Sequence, residues 1–264
     1  MKLCSISSGS DGNCIYVGGK NANVLVDAGI SGKKIEAGLK EIDVNPETLD
    51  GIFVTHEHTD HIKSVGVMAR RYQIPIYSTV ETIYAMLHTK NIGRIPETLL
   101  HDVQIDEKIM IKDFMITPFS ISHDAVNPVA YTFEEDGHKM GLATDLGTYD
   151  AYILEHLKDV EVLLLEANHD VNMLQVGPYP YMLKQRILGR KGHLSNMVSA
   201  NLLCELMHDK MQHIILGHLS KENNYPELAY ETVKCELEQQ GYNCQSGFLS
   251  VAKCFEPTPV YEIS

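Results

Sequence analysis

A chain of 264 residues has room for a large layered domain, and 44% hydrophobic with 22% charged residues is ordinary globular usage, which excludes a disordered or a membrane class. A formal charge of -13, with a pI near 5.4, repels polyanions unless basic residues or metal cations are gathered locally, so nucleic acid is not the default partner. The six cysteines form no C-x-x-C pair and read as reduced thiols; MKLCSISSGSDGNC has no apolar run of signal-peptide length, so the expected location is the cytoplasm, with no membrane partner.

In chain order, LCSIS, CIYVGG and NVLVDAG are short apolar runs separated by glycine-rich turns, which predicts consecutive strands. Ser31 stands where a helix cap is wanted, and Ile35, Leu39 and Ile42 recur at helical spacing. GIFVT reads as a short buried strand, IKSVGVMARRYQ as helix, IPIYST as strand and VETIYAMLHTK as helix. From about Lys108 to Leu142 the chain is strand-rich, through KIMIKDFMITPFSIS, VAYTFEED and HKMGLAT. YDAYILEHLKD then predicts a helix, VEVLLLEA a strand, and residues 170–188 two helical stretches. SNMVSANLLCELMHD is a further helix, HIILGHL a strand, NNYPELAYETVKCELEQQG a long helix, and FLSVAK the last strand before a proline-containing tail. Each half runs from sheet to helices with no linker, which predicts one α/β domain over residues 1–264, two sheets face to face with helices outside.

The stretch HEHTDH, directly after the GIFVT strand, sets His56, His58, Asp60 and His61 within six positions. On extended chain the first two histidines project to the same side, and Asp60 and His61 can face a second point nearby, so one short loop has the means to hold two cations. Four donors close neither site, and further ligands are required. SISHDA, GLATDLG and IILGHLS supply His123, Asp145 and His218, each at the end of an apolar strand, where ligands gather over a rigid sheet. With Asp145 bridging, one ion takes His56, His58, His123 and Asp145, and the other takes Asp60, His61, His218 and Asp145. A solvated polar loop is the bland alternative, but thirteen histidines seldom fall at these spacings by chance. Imidazole and carboxylate donors without cysteine suit zinc, manganese or iron. Two such cations can activate a water near neutral pH and clamp an anionic substrate, which points to hydrolysis.

HEHTDH, the later His123, Asp145 and His218, and Asp27 in LVDAG resemble the metallo-β-lactamase-fold hydrolases over nearly the whole chain. The resemblance implies a four-layered αβ/βα sandwich, a dinuclear site at the sheet edges, and Asp27 as a support behind the ligands.

That fold hosts lactam, thioester, lactone and phosphodiester hydrolysis, so the choice falls to local residues. A departing alkoxide needs a proton, which a histidine held by a carboxylate can supply, and Glu166 with His193 can form that pair. Their arrangement resembles tRNase Z, although Asn168 and His169 depart from its pattern. Residues expected to act in catalysis are His193, Glu166 and Asp60. Ser195 can cap the helix that follows, opening its N-terminus beside His193 for a phosphate oxygen, with Asn196 next to it. Arg186 and Arg190 belong to a local basic run with Lys184 and Lys191, while Asn13 of the SGSDGN turn and His169 are the remaining expected substrate contacts.

The SGSDGN start, HEHTDH, EANHD and the R-x-x-x-R-K-G-H-L-S-N stretch are most similar to the YycJ/WalJ group, whose resemblance implies a nuclease acting on DNA from the 5′ end. The interval from Asp145 to His218 is too short for the cap domain of β-CASP nucleases, so any lid comes from residues 168–192. Alternatives are a small-molecule or cyclic phosphodiesterase, a thioester or lactone hydrolase, and a metal-stabilised binding module.

Overall fold

A computed structural model describes residues 1–264 as two compact units, one formed by residues 1–120, 125–138 and 253–264 and the other by residues 121–124 and 139–252. In the first unit the N-terminal apolar runs form β1 (Lys2–Ser7), β2 (Cys14–Gly18) and β3 (Asn23–Val26), followed by α1 (Gly32–Glu41). The chain continues through β4 (Gly51–Phe53), α2 (Thr59–Ile62), α3 (Val65–Tyr72), β5 (Ile76–Ser78), α4 (Val80–Leu87) and β6 (Leu100–Asp102). An antiparallel meander of β7 (Ile109–Ile111), β8 (Phe114–Ser120) and β9 (Val129–Glu135) completes this stretch.

Strands β1 to β3 pair antiparallel as hairpins, because their connections are short. From β3 to β6 every pairing is parallel, because α1, α3 and α4 supply the crossovers. A core of Leu25, Ile35, Leu39, Ile52, Val65, Met68 and Met86 lies under those helices. Tyr131 of β9 packs edge-on against Phe53 with ring centroids 5.5 Å apart and donates a 2.8 Å hydrogen bond to the Val54 carbonyl, so a hydroxyl buried with the aromatic ring is satisfied.

The second unit contains β10 (His138–Ala143), α5 (Ala151–Leu157), β11 (Val162–Glu166), α6 (Val171–Val176) and α7 (Tyr181–Leu188). It continues with α8 (Asn196–Leu206), β12 (His213–Gly217), α9 (Pro226–Gln239) and β13 (Leu249–Val251). Strands β10 to β13 are all parallel, and β11, the run VLLLE, is buried along its whole length, as a strand covered on both faces must be. Leu202, Leu203, Val233 and Leu237 bury the apolar faces of α8 and α9.

Three local expectations change. Ser31 takes the cap position of α1 but its hydroxyl makes no capping bond, and Ile42 lies just beyond the helix. Residues 100–102 form a strand that no periodicity announces. The proline-containing tail carries β14 (Tyr261–Glu262), which pairs antiparallel with β1 and returns to the first unit.

Candidate metal centre

The seven expected ligands divide between the units, His56, His58, Asp60 and His61 in the first and His123, Asp145 and His218 in the second. In the first unit β4 ends at Phe53 and delivers His56 and His58 on extended chain, whereas Asp60 and His61 sit in the single helical turn α2. The rings of His56 and His61 are buried with centroids 4.1 Å apart, and those of His56 and His58 are 4.5 Å apart. Asp60 Oδ2 lies 3.6 Å from His61 Nε2.

Asp27 holds this loop from behind. Its carboxylate accepts from Thr55 N at 2.8 Å and Thr55 Oγ1 at 2.9 Å, and it meets His61 Nδ1 at 2.7 Å. An ionised carboxylate only accepts, so Nδ1 of His61 carries the proton and Nε2 keeps its lone pair. Thr55 extends the same logic. Its single hydroxyl proton goes to Asp27, so its oxygen accepts from His56 Nδ1 at 3.0 Å and leaves His56 Nε2 unprotonated. Thr55 is a positioning residue that a threonine before a histidine gives no signal of in the sequence.

Close approach fixes the loop's backbone. Ala28 N donates to the His61 carbonyl and Asn13 N to the Asp60 carbonyl, both at 2.8 Å. A Cβ on Gly29 would stand 1.6 Å from that Asp60 oxygen, so only glycine fits there.

In the second unit Asp145, Glu166, His193 and His218 bring their donor atoms within 4.8 Å of one another. His123 Nε2 lies 3.6 Å from Asp145 Oδ1, and its Nδ1 faces the Gly192 carbonyl at 3.3 Å, which puts the proton on Nδ1. Nδ1 of His218 is 3.6 Å from Asp145 Oδ1 and 3.8 Å from Glu166 Oε2. Asp145 and His218 adopt left-handed backbone, φ 59° and 53°, just past β10 and β12, and Asp27 does the same at 59° past β3. Such φ values are costly for a histidine and mark a conformation that its surroundings impose. Buried imidazole and carboxylate groups, with Nδ1 of His56 and His61 in the first unit and of His123 in the second already holding a proton, are the chemistry that suits a divalent cation.

Glu166 ends β11 fully buried, accepting from Leu146 N at 3.0 Å and lying 2.9 Å from His193 Nδ1. Burial pulls the His193 pKa down, but the Glu166 charge and hydrogen bond, with Asp145 and Asp124 behind them, push it up to about 9. His169 goes the other way, lowered to about 4 by burial, with neither ring nitrogen hydrogen-bonded.

Of the six expected substrate contacts, four lie inside. Asn13 is fully buried, its amide 3.1 Å from His61 Nε2 and bonded across its own turn to Gly9, so it shapes the histidine loop and is not on a rim. Ser195 does cap α8, accepting from Val198 N at 3.3 Å, but its hydroxyl is used in doing so and is buried. Asn196 exchanges hydrogen bonds with Asn224, and His169 is enclosed beside them. These polar groups turn inward because the chain around β11 and α8 needs them to satisfy one another and the backbone. Arg186 and Arg190 remain exposed, Arg186 in an ion pair with Asp124.

Residues 22–215 match a family model described as the β-lactamase superfamily domain. Two curated relatives are similar over most of their length. Exodeoxyribonuclease YycJ of Bacillus anthracis is 40% identical over 92% of this chain and 91% of the relative. Exodeoxyribonuclease WalJ of Streptococcus pneumoniae serotype 2 (strain D39 / NCTC 7466) is 42% identical over 90% and 89%. Among solved structures, the metallo-β-lactamase fold protein YhfI of Bacillus subtilis aligns with a TM-score of 0.69 at 18% identity, covering 97% of this chain and 98% of that one, a likeness of fold. The architecture is accordingly the α/β sandwich of that fold, mixed sheets flanked by helices. This chain belongs to the β-lactamase superfamily and, within it, to the family of YycJ and WalJ, and it is a metal-dependent hydrolase.

Proposed function

We propose that this hydrolase is a two-metal phosphodiesterase that degrades DNA from the 5′ end, with His193 as general acid. One observation carries the reading: His193 Nδ1 is 2.9 Å from the buried Glu166 carboxylate. A thioester expels a thiolate, which has little need of such an acid, whereas a nucleotide alkoxide leaves poorly until protonated. One ion would be held by His56, His58, His123 and Asp145, the second by Asp60, His61, His218 and Asp145, with zinc, manganese and iron all suited to the donors. When bound, the ions supply an activated water and neutralise the diester charge.

His193 does the rest through its own geometry. Glu166 fixes Nδ1–H and stabilises the imidazolium, so Nε2–H is the proton available to the departing oxygen. The names of YycJ and WalJ support DNA as the polymer, and the 5′ polarity is what the resemblance of SGSDGN, EANHD and the basic run to their group implies. The cytoplasm is in keeping with six free cysteines.

The test is a substrate panel with manganese or zinc: single- and double-stranded DNA labelled at either end, RNA, cyclic nucleotides and a thioester. Early release of label from 5′-labelled DNA is expected. Turnover confined to the thioester or to cyclic nucleotides would sink the nuclease reading, and metal-loaded protein that turns over nothing would sink the enzyme's assignment as a phosphodiesterase.

A further inference from the structure

Between Asp170 and Glu205 the chain contains no acidic residue, although the protein carries 35 of them. The same interval holds Lys184, Arg186, Arg190 and Lys191, so a molecule of net charge -13 gathers four basic residues in one segment. These four lie on or just after α7, which is tied to α6 where Lys184 Nζ donates to the Gln175 and Gly177 carbonyls at 2.7 and 2.8 Å. Lys184 is thereby used in the scaffold, and Arg186 is paired with Asp124. Arg190 and Lys191 stand exposed with no ion pair.

The surface of α7 is unusual for a soluble helix. Ile187 faces inward, while Tyr181, Gln185 and Leu188 follow one another at helical spacing on the opposite face, with Met182 and Arg186 beside them. Tyr181 is 72% exposed, Met182 77%, and Val176 at the end of α6 86%. Apolar and aromatic side chains set among arginines have a polyanion with flat apolar faces as their complement, which is an unpaired nucleic acid strand: bases stack on the ring and phosphates meet the cations. A duplex hides its base faces and cannot use the tyrosine.

Building on the phosphodiesterase reading, we propose that the exposed face of α7 is a stacking platform for single-stranded DNA that leads the strand to His193. The link is covalent and close. Gly192 N donates to Gly189 O at 2.8 Å and His193 N to Ile187 O at 3.0 Å, so the last turn of α7 fixes the backbone of the residue that holds the proton.

Metal-loaded full-length protein and a fluorescein-labelled phosphorothioate oligothymidylate, which resists cleavage, provide the measurement by fluorescence anisotropy. Tyr181→Ala with Met182→Ala is expected to weaken binding at least about fivefold, the loss of one stacked base, and Tyr181→Phe to retain it. Binding to a blunt phosphorothioate duplex should not change in either variant. Arg190→Gln should weaken both ligands and flatten the salt dependence. Unaltered single-strand affinity in the double variant, or an equal loss on the duplex, overturns the platform. So does a change in the DNA-free sedimentation mass of the double variant, which would make this face a contact between two copies of the chain. Wild-type hydrolysis of bis(p-nitrophenyl) phosphate separates the two claims: its absence refutes the phosphodiesterase, while its presence with unaltered strand binding refutes the platform alone.

Discussion

The imidazole of His193 and the carboxylate of Glu166 meet at 2.9 Å, across a gap of 27 residues that contains two helices. Glu166 is anchored by the Leu146 amide on its other oxygen, so the acid is not free to rotate and the histidine takes its orientation from it.

That relationship predicts leaving-group dependence. His193→Ala should lower kcat on DNA by about 10²- to 10⁴-fold, the ordinary worth of a general acid. On bis(p-nitrophenyl) phosphate, whose nitrophenolate leaves without a proton, the loss should be small, and metal content by atomic emission should be unaltered. Equal losses on both substrates would contradict the acid role.

The same pair has a pH signature in metal-free protein. The folded pKa of His193, about 9, lies above its ordinary 6.5. Its protonated form is therefore stabilised by folding, a contribution complete below about pH 6.5 and lost as pH rises through 9. His193→Asn should cost stability at pH 6 and little at pH 10, read from urea midpoints in EDTA. A difference independent of pH would show that the interaction is not ionic.

Asp27 sits behind the histidine loop, bonded to Thr55 and His61. Asp27→Asn keeps a side chain that tolerates the left-handed φ of 59° but removes the charge that fixes the His61 tautomer. Metal affinity should fall about 10- to 100-fold in chelator competition. Undiminished affinity would mean that Thr55 alone orients the ring.

Gly29→Ala places a methyl 1.6 Å from the Asp60 carbonyl and must displace the loop that carries Asp60 and His61. A cost of about 1–3 kcal/mol is expected in urea unfolding, together with lost metal affinity. Gly137→Ala is the control, since its Cβ would meet nothing within 4 Å and only the φ of 84° is strained. It should lose some stability and no metal. Equal metal loss in both would refute the loop-seating argument.

The cysteines should react unevenly. Cys235 is exposed, whereas burial pushes the Cys14 and Cys4 thiols up. Native protein should therefore modify first at Cys235 with a disulfide reagent, and at Cys14 only on unfolding. Rapid native labelling of Cys14 would contradict its burial between β1 and β3.

What the sequence by itself determined is the kind of atom available at each place. Ligand chemistry belongs to the side chain, and the HEHTDH spacing after a strand is a local property, so the candidate donors, the alternation of strands and helices, and the cap at Ser195 were all legible in the sequence. What only the tertiary structure decided is which of those atoms already have work to do. Asn13, Asn196 and Ser195 spend their hydrogen bonds inside, and Thr55 passes the Asp27 carboxylate's demand on to His56. Strand β14 exists because residues 261 and 262 find β1 at the far end of the chain. Hydrogen bonds act over about 3 Å, and folding sets those distances between residues that chain order keeps far apart.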